Sequence, residues 1–264
     1  MKILPLSNAR IAYEDVGQGP PVIFAHGLSG NLLSWWQQAS LLSNRFRCIA
    51  FSHRGFYGSE NLAGHFDVST MIEDIIALAD NLGLSRFALV AQSMSGWPAI
   101  EIALDYRQRL TALVLCSTSG TVNPISADPE AMVNWTRWSA NMFANAGGLA
   151  QMVTDLALHE RHPELDYLYA RLMALPAHAD VTAIRKTLKE TQRREVSVLS
   201  SIRVPTLWLG GTRDAYFPSL VLPALASRTP TSELYLFEGC GHSPYFENAR
   251  VFNDVVSQFL ARHV

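Results

Sequence analysis

The stretch Leu89-Val90-Ala91-Gln92-Ser93-Met94-Ser95-Gly96 decides how this chain is read. The run at 86–91 (RFALVA) has the continuous apolar character of a buried strand, and 95–106 reads as a helix, so Ser93 falls at the junction. A tight strand-to-helix turn forces its central residue into a strained backbone conformation. Bulky side chains two positions to either side would collide, and Ala91 and Ser95 are both small. The turn lifts the serine hydroxyl above the sheet and sets it at a helix N-terminus, where backbone N–H groups favour developing negative charge. The other reading of Ser93 is a helix N-cap without chemistry.

On both sides of this turn, short apolar runs alternate with helical patterns. Strands are expected at 22–25 (VIFA), 46–51 (FRCIAF), 111–116 (TALVLC), 204–210 (VPTLWLG) and 233–238 (ELYLFE), with 11–14 as an edge strand. Helices are expected at 36–43, 67–82 and 249–263. Such alternation indicates βαβ crossovers and a mostly parallel sheet flanked by helices. It breaks at Gly120. From 122 to 200 the sequence is helical in character, so a core of 1–121 and 201–264 is expected, interrupted by a helical insertion.

Composition excludes several classes of protein. With 264 residues, 48% hydrophobic and 17% charged, the chain can bury a sizeable core and is far from a disordered composition. A net charge of −2, from 21 basic and 23 acidic residues, offers no footprint for nucleic acid or an anionic membrane. The expected partner is a small, weakly charged molecule. Cys48, Cys116 and Cys240 are too few and too scattered for a disulfide framework or a CxxC site. The first 17 residues lack the apolar core of a signal peptide, and no stretch nears the 18 apolar residues of a membrane span. The expectation is a soluble, cytoplasmic protein.

A serine needs a base to become a nucleophile. His242 lies in Glu238-Gly239-Cys240-Gly241-His242, a Gly-rich loop directly after a strand, where α/β sheets present their ligand-binding groups. An orienting carboxylate is available in Asp214, which follows the strand 204–210 in Gly211-Thr212-Arg213-Asp214. Read singly, these are a surface-loop histidine and a turn-forming aspartate. Together they give the chain order Ser…Asp…His, each just past a strand's C-terminal end. The strand 22–25 ends in His26-Gly27-Leu28-Ser29-Gly30, a loop able to aim the Leu28 N–H at the nucleophile, with the Met94 N–H as second oxyanion donor.

With HGLSG at 26, SHRGFYGS at 52, AQSMSG at 91, GGTRD at 210 and GCGH at 239, essentially the whole chain resembles the α/β-hydrolase fold of the esterase, lactonase and C–C hydrolase group. The resemblance implies Ser93 as nucleophile, His242 as base, Asp214 as its orienting acid, and 122–200 as a helical cap over the site. It implies no cofactor and no metal. Ser52 stands where the family usually has Asp, Tyr57 where it often has Gly, and Ser95 where the turn usually has Gly.

The expected reaction is hydrolysis of a carboxylic ester or lactone through an acyl-enzyme. Trp97, Trp135, Trp138, Met142 and Phe143 are candidates for an apolar substrate pocket. C–C bond hydrolysis is a second reading, against which the short HGLSG loop counts. A cofactor-free ring-cleaving dioxygenase, suggested by Gly96-Trp97, would place its acid after the strand 111–116, where Ser117-Thr118-Ser119-Gly120 holds no carboxylate. A slow-turnover ligand receptor is a fourth, kept open by the S-x-S form of the turn. His159 and His162 have metal-ligand spacing on one expected helix, but no third ligand is apparent, so they read as a solvated helix end. Cys240 reads as filler on the base's loop.

Overall fold

The computed structural model describes residues 1–145, 154 and 156–264, apart from the side chains of 143, 145, 156, 157 and 159. Six strands lie parallel: β3 (Pro21–Ala25), β4 (Arg47–Phe51), β6 (Phe87–Gln92), β7 (Leu110–Cys116), β8 (Thr206–Gly211) and β9 (Ser232–Phe237). Two antiparallel strands, β1 (Lys2–Pro5) and β2 (Ala9–Val16), extend one side, and the two-residue β5 (Glu60–Asn61) pairs with β2. The sheet order is β1-β2-β4-β3-β6-β7-β8-β9. This corrects the expected edge strand at 11–14. Ala9, Ile11, Ala12 and Tyr13 are buried, because β2 lies between β1 and β4. Pro5 and the brevity of Lys2–Pro5 hid the true edge.

Strand side chains alternate between the two faces, and both faces are covered. Ile23, Ala25, Leu89, Ala91, Leu113 and Leu115 join one core cluster. Val22, Phe24, Ala88, Val90, Ala112 and Val114 join the other. The first is closed by α2 (Val68–Asn81), α3 (Gly96–Asp105) and α9 (Leu222–Arg228), the second by α1 (Trp36–Leu42), α10 (Pro244–Glu247) and α11 (Ala249–His263). Asp67, expected inside its helix, is instead the cap. Its carboxylate accepts the Thr70 N–H at 2.9 Å while the Thr70 hydroxyl accepts the Asp67 N–H at 3.1 Å.

Between β7 and β8 run α4 (Pro124–Ala127), α5 (Pro129–Asn145), α6 (Leu156–Arg161), α7 (Pro163–Met173) and α8 (Val181–Thr191). Among the described residues of this segment the only β pairing is an isolated bridge, Val122 to Arg194. His162 precedes α7 rather than sharing a helix with His159, because α6 ends at Arg161 and Pro163 opens the next helix. The His159 side chain lies outside the described residues. No helix among the described residues is long and apolar enough to cross a membrane.

Candidate active site

Ser93 sits where β6 passes into a short 3-10 turn (Ser93–Ser95) and then α3, and its φ is +51°. Such a conformation costs a non-glycine residue about 1–3 kcal/mol and persists only where the surroundings impose it. Here they do: β6 is fully buried along its length, and α3 presses so closely on the loop after β7 that a Cβ on Gly96 would come within 2.2 Å of Thr118 Oγ1.

The three residues read from the sequence converge above the C-terminal edge of the sheet. His242 Nε2 lies 2.9 Å from Ser93 Oγ, and His242 Nδ1 lies 2.8 Å from Asp214 Oδ2. A carboxylate can only accept, so the imidazole donates from Nδ1 and turns the Nε2 lone pair toward the Ser93 hydroxyl. The other Asp214 oxygen accepts the N–H groups of Tyr216 at 2.9 Å and Phe217 at 2.8 Å, which locks the carboxylate in place. Burial grades across the group: Asp214 is 2% exposed, His242 7%, and Ser93 is half-open to solvent. The Tyr216 ring lies 5.5 Å from the His242 ring.

Next to Ser93 runs the loop that leaves β3. A Cβ on Gly27 would fall 2.0 Å from Gln92 Oε1 and 3.1 Å from Ser93 Cβ, so only glycine allows this approach. Gly30 N–H closes a turn onto Gly27 C=O at 2.9 Å, and the Leu28 N–H, inside that turn, has no acceptor among the described residues. Met94 is the second residue of the 3-10 turn, so its N–H lies in the first turn, where no intrahelical acceptor exists. The arrangement can deprotonate a hydroxyl and supply backbone donors beside it.

Several residues to which the sequence reading gave no hydrogen-bonding role hold this apparatus. Gln92 donates to His242 C=O at 3.2 Å. The Ser95 hydroxyl donates to His26 C=O at 2.6 Å and meets His53 Nε2 at 2.7 Å. His53 N–H donates to His26 Nε2 at 3.0 Å, and His26 Nδ1 donates to Gly27 C=O at 2.7 Å. Burial pushes His26 down to about 4, and burial with the nearby His26 and Arg54 charges holds His53 well below the usual imidazole range. The signal in the sequence was a histidine just beyond each of two adjacent strands. Ser52, the departure from the usual Asp, uses its hydroxyl to accept the Leu32 N–H at 2.9 Å.

Of the apolar pocket candidates, Trp97 packs in a cluster with Met94, Phe56 and Leu188 and donates its indole N–H to Leu188 C=O at 2.9 Å. Trp135 donates to the backbone carbonyl of Asp214 at 2.9 Å. Trp138 and Met142 follow further along α5, half-buried, and neither hydrogen-bonds to the three residues. The Phe143 side chain lies outside the described residues. Cys240 is buried on the loop of His242.

Known proteins agree with this architecture. The chain is 27% identical to a 2-hydroxymuconate semialdehyde hydrolase of Pseudomonas putida over 271 residues, covering 96% of this chain and 91% of that one. It superposes on a thermophilic esterase from Thermogutta terrifontis with a TM-score of 0.81 at 25% identity, each chain covered completely. It also matches the fold of the enol-lactonase from Burkholderia xenovorans, at a TM-score of 0.78 and 22% identity over 98% of this chain and 100% of the other. A family model described as the alpha/beta hydrolase fold matches residues 20–249, a span that runs from β3 to the start of α11 and takes in Ser93, Asp214 and His242. The chain therefore belongs to the alpha/beta hydrolase fold family.

Proposed function

We propose that the protein is a serine hydrolase that cleaves a carboxylic ester or lactone of a small, largely apolar molecule. The observation that carries this reading is the unbroken path Asp214–His242–Ser93, at 2.8 and 2.9 Å, ending on a strained, solvent-reachable hydroxyl. Ser93 Oγ attacks the acyl carbon while its proton passes to His242 Nε2, and Asp214 stabilises the imidazolium through Nδ1–H. The carbonyl oxygen becomes an oxyanion held by the Leu28 and Met94 N–H groups, each donor contributing about 3–4 kcal/mol. The protonated His242 then delivers its proton to the departing alcohol. Water, activated by the same imidazole, attacks the acyl-enzyme, releases the acid and restores Ser93.

The helices between β7 and β8 act as a cap. The apolar side chains of Trp97, Ile184 and Leu188, packed together beside Met94, support an apolar substrate. The three cysteines are buried and none is joined in a disulfide among the described residues, which supports a reducing, cytoplasmic setting. Hydrolysis of p-nitrophenyl acetate, butyrate and octanoate, with Ser93→Ala alongside, tests the reading. Rapid turnover that vanishes in Ser93→Ala is expected, and turnover that survives it sinks the mechanism.

The likeness to a 2-hydroxymuconate semialdehyde hydrolase supports C–C bond hydrolysis as a second reading. Decay of the visible absorbance of a meta-cleavage dienoate, faster than release from any nitrophenyl ester, would favour it. A ring-cleaving dioxygenase would be revealed by oxygen uptake, and a receptor by one stoichiometric burst followed by stalling.

A further inference from the structure

Resting on the reading of Ser93 as nucleophile and Leu28 N–H as oxyanion donor, we infer that Ser95 and His53 are positioning residues: a buried hydroxyl–imidazole clamp that, through the His26 ring, aims the Leu28 N–H. Ser95 is the departure from the family's usual glycine, and its hydroxyl has one proton. That proton goes to His26 C=O at 2.6 Å, since a carbonyl can only accept. The 2.7 Å contact with His53 Nε2 is then an N–H donated to Ser95 Oγ, which leaves His53 Nδ1 as a bare lone pair without a partner among the described residues. His53 in turn donates its backbone N–H to His26 Nε2 at 3.0 Å. The His26 proton therefore resides on Nδ1 and is donated to Gly27 C=O at 2.7 Å.

The last bond matters most. Gly27 C=O and Leu28 N–H belong to one peptide unit, which is planar and trans, so the two groups point in opposite directions. Gly27 C=O is held by two donors, His26 Nδ1–H and Gly30 N–H at 2.9 Å. Fixing the carbonyl fixes the line along which the Leu28 N–H points. Ser95 pins the preceding carbonyl, so the two peptides leaving β3 are both held from the side of the serine turn. His26, His53 and Ser95 are each no more than 1% exposed, so no water competes for these bonds. Oxyanion donors act by being aimed before charge develops, and the loop carrying Leu28 has no regular secondary structure to aim it otherwise. A glycine at 95 has no hydroxyl with which to do this.

The test uses the full chain and a p-nitrophenyl ester, with a trifluoromethyl ketone as analogue of the tetrahedral intermediate. Removing an oxyanion donor outright costs about 10²–10³ in kcat, and Ser95→Ala, which only misaims one, is expected to lower kcat about 30-fold. KM should stay near wild type, melting temperature should fall only by the few degrees that stranding buried hydrogen-bond partners costs, and affinity for the ketone should fall by the same factor as kcat/KM. His53→Gln, which keeps an N–H at the place of Nε2, should stay close to wild type, while His53→Leu falls as Ser95→Ala does. Should Ser95→Ala fail to fold, the contrast between His53→Gln and His53→Leu decides. A Ser95→Ala protein with wild-type kcat and ketone affinity overturns the clamp. So does a loss confined to KM or melting temperature, or equal kcat values for the two His53 variants. In each of these cases Ser93-dependent hydrolysis leaves the hydrolase reading standing. Turnover indifferent to Ser93→Ala removes that reading, and the clamp with it.

Discussion

The sheet core and the helical segment between β7 and β8 are held by different physics. In the core, β6 and β8 are buried at every position, and Trp35, Trp208, Phe24 and Phe51 are among the largest side chains removed from water. In the segment, α7 buries one side chain, Tyr169, and α8 only Ile184 and Leu188. What the segment has instead is a set of directional bonds, each ending on or just beyond a strand's C-terminal edge. Leu172 C=O accepts from Asn31 after β3, and His178 and Ala179 donate to Gly55 after β4. Leu188 C=O accepts from Trp97 after β6, Trp135 donates to Asp214 after β8, and Tyr169 meets Ser243 after β9 at 2.7 Å. Burial makes the core cooperative and stable, whereas a few hydrogen bonds of about 1 kcal/mol each tie the segment to the loops beyond the strands' C-terminal ends. Opening the segment should therefore cost less than unfolding the core, and substitutions should separate the two.

The sharpest separation is expected at Ser93. On the proposed mechanism Ser93→Ala lowers kcat/KM by at least about 10⁴-fold, as loss of the nucleophile does in other serine hydrolases. Ser93→Gly should do the same while raising stability by about 1 kcal/mol, because glycine adopts the +51° φ without strain. Urea unfolding of the two variants beside the native chain measures this, and lower stability of Ser93→Gly would deny that strain is stored there. A second break goes the other way. Trp208→Ala removes a side chain with no exposure from the centre of β8 and should cost about 3–5 kcal/mol in global stability. Ile184→Ala on α8, buried against Met94 and Phe56 rather than in the sheet, should change KM more than the urea midpoint.

Much of this could be read in the sequence, because parallel strands buried on both faces are continuous apolar runs and the chemistry sits where those runs stop. Ser93 follows β6 directly, and Asp214 and His242 lie in the short loops that leave β8 and β9, so locating the strands located the three residues. The β2 placement failed for a related reason. A strand between antiparallel neighbours carries the same alternation as one at an edge, and the only clue was the short, Pro-ended β1. Ser95 was noted as small, but its partner His53 is 42 positions away. Trp135 was marked as an apolar wall, yet what fixes it is a polar bond to a carbonyl 79 positions away. Pairings of this kind depend on how helices dock, and residue type alone does not encode the docking.

Acid should enter through the core. An imidazole in the unfolded chain takes up a proton as pH falls through about 6.5, whereas folded His26 resists until about 4. Over that interval the unfolded state binds more protons, so stability falls as pH falls, by about 3 kcal/mol for His26 between pH 6.5 and 4. His53, depressed in the same direction, adds to the slope. Above pH 6.5 both are neutral in either state and contribute no pH dependence. Urea midpoints at pH 7, 5.5 and 4.5 measure the fall, and His53→Gln should flatten it. A midpoint constant over this range would mean that His26 is not held neutral.

The smallest effect is expected at the join between the two regions. Trp135 is half-buried on α5, and its indole N–H reaches the backbone carbonyl of Asp214, not the carboxylate. Replacing it by Phe keeps an aromatic ring and removes one hydrogen bond, at about 1 kcal/mol. Core packing does not involve this bond, so the urea midpoint should hardly move. The Asp214 carboxylate keeps both of its backbone donors, Tyr216 and Phe217, so kcat should fall by less than about fivefold. What should change is how often the segment lifts, read as faster amide exchange in α5 and a higher KM for the longer acyl chains. Equal exchange rates in the native chain and Trp135→Phe would show that this bond does not tether the segment. A loss of kcat as large as that of Ser93→Ala would show instead that the carbonyl contact holds Asp214 itself in register with His242.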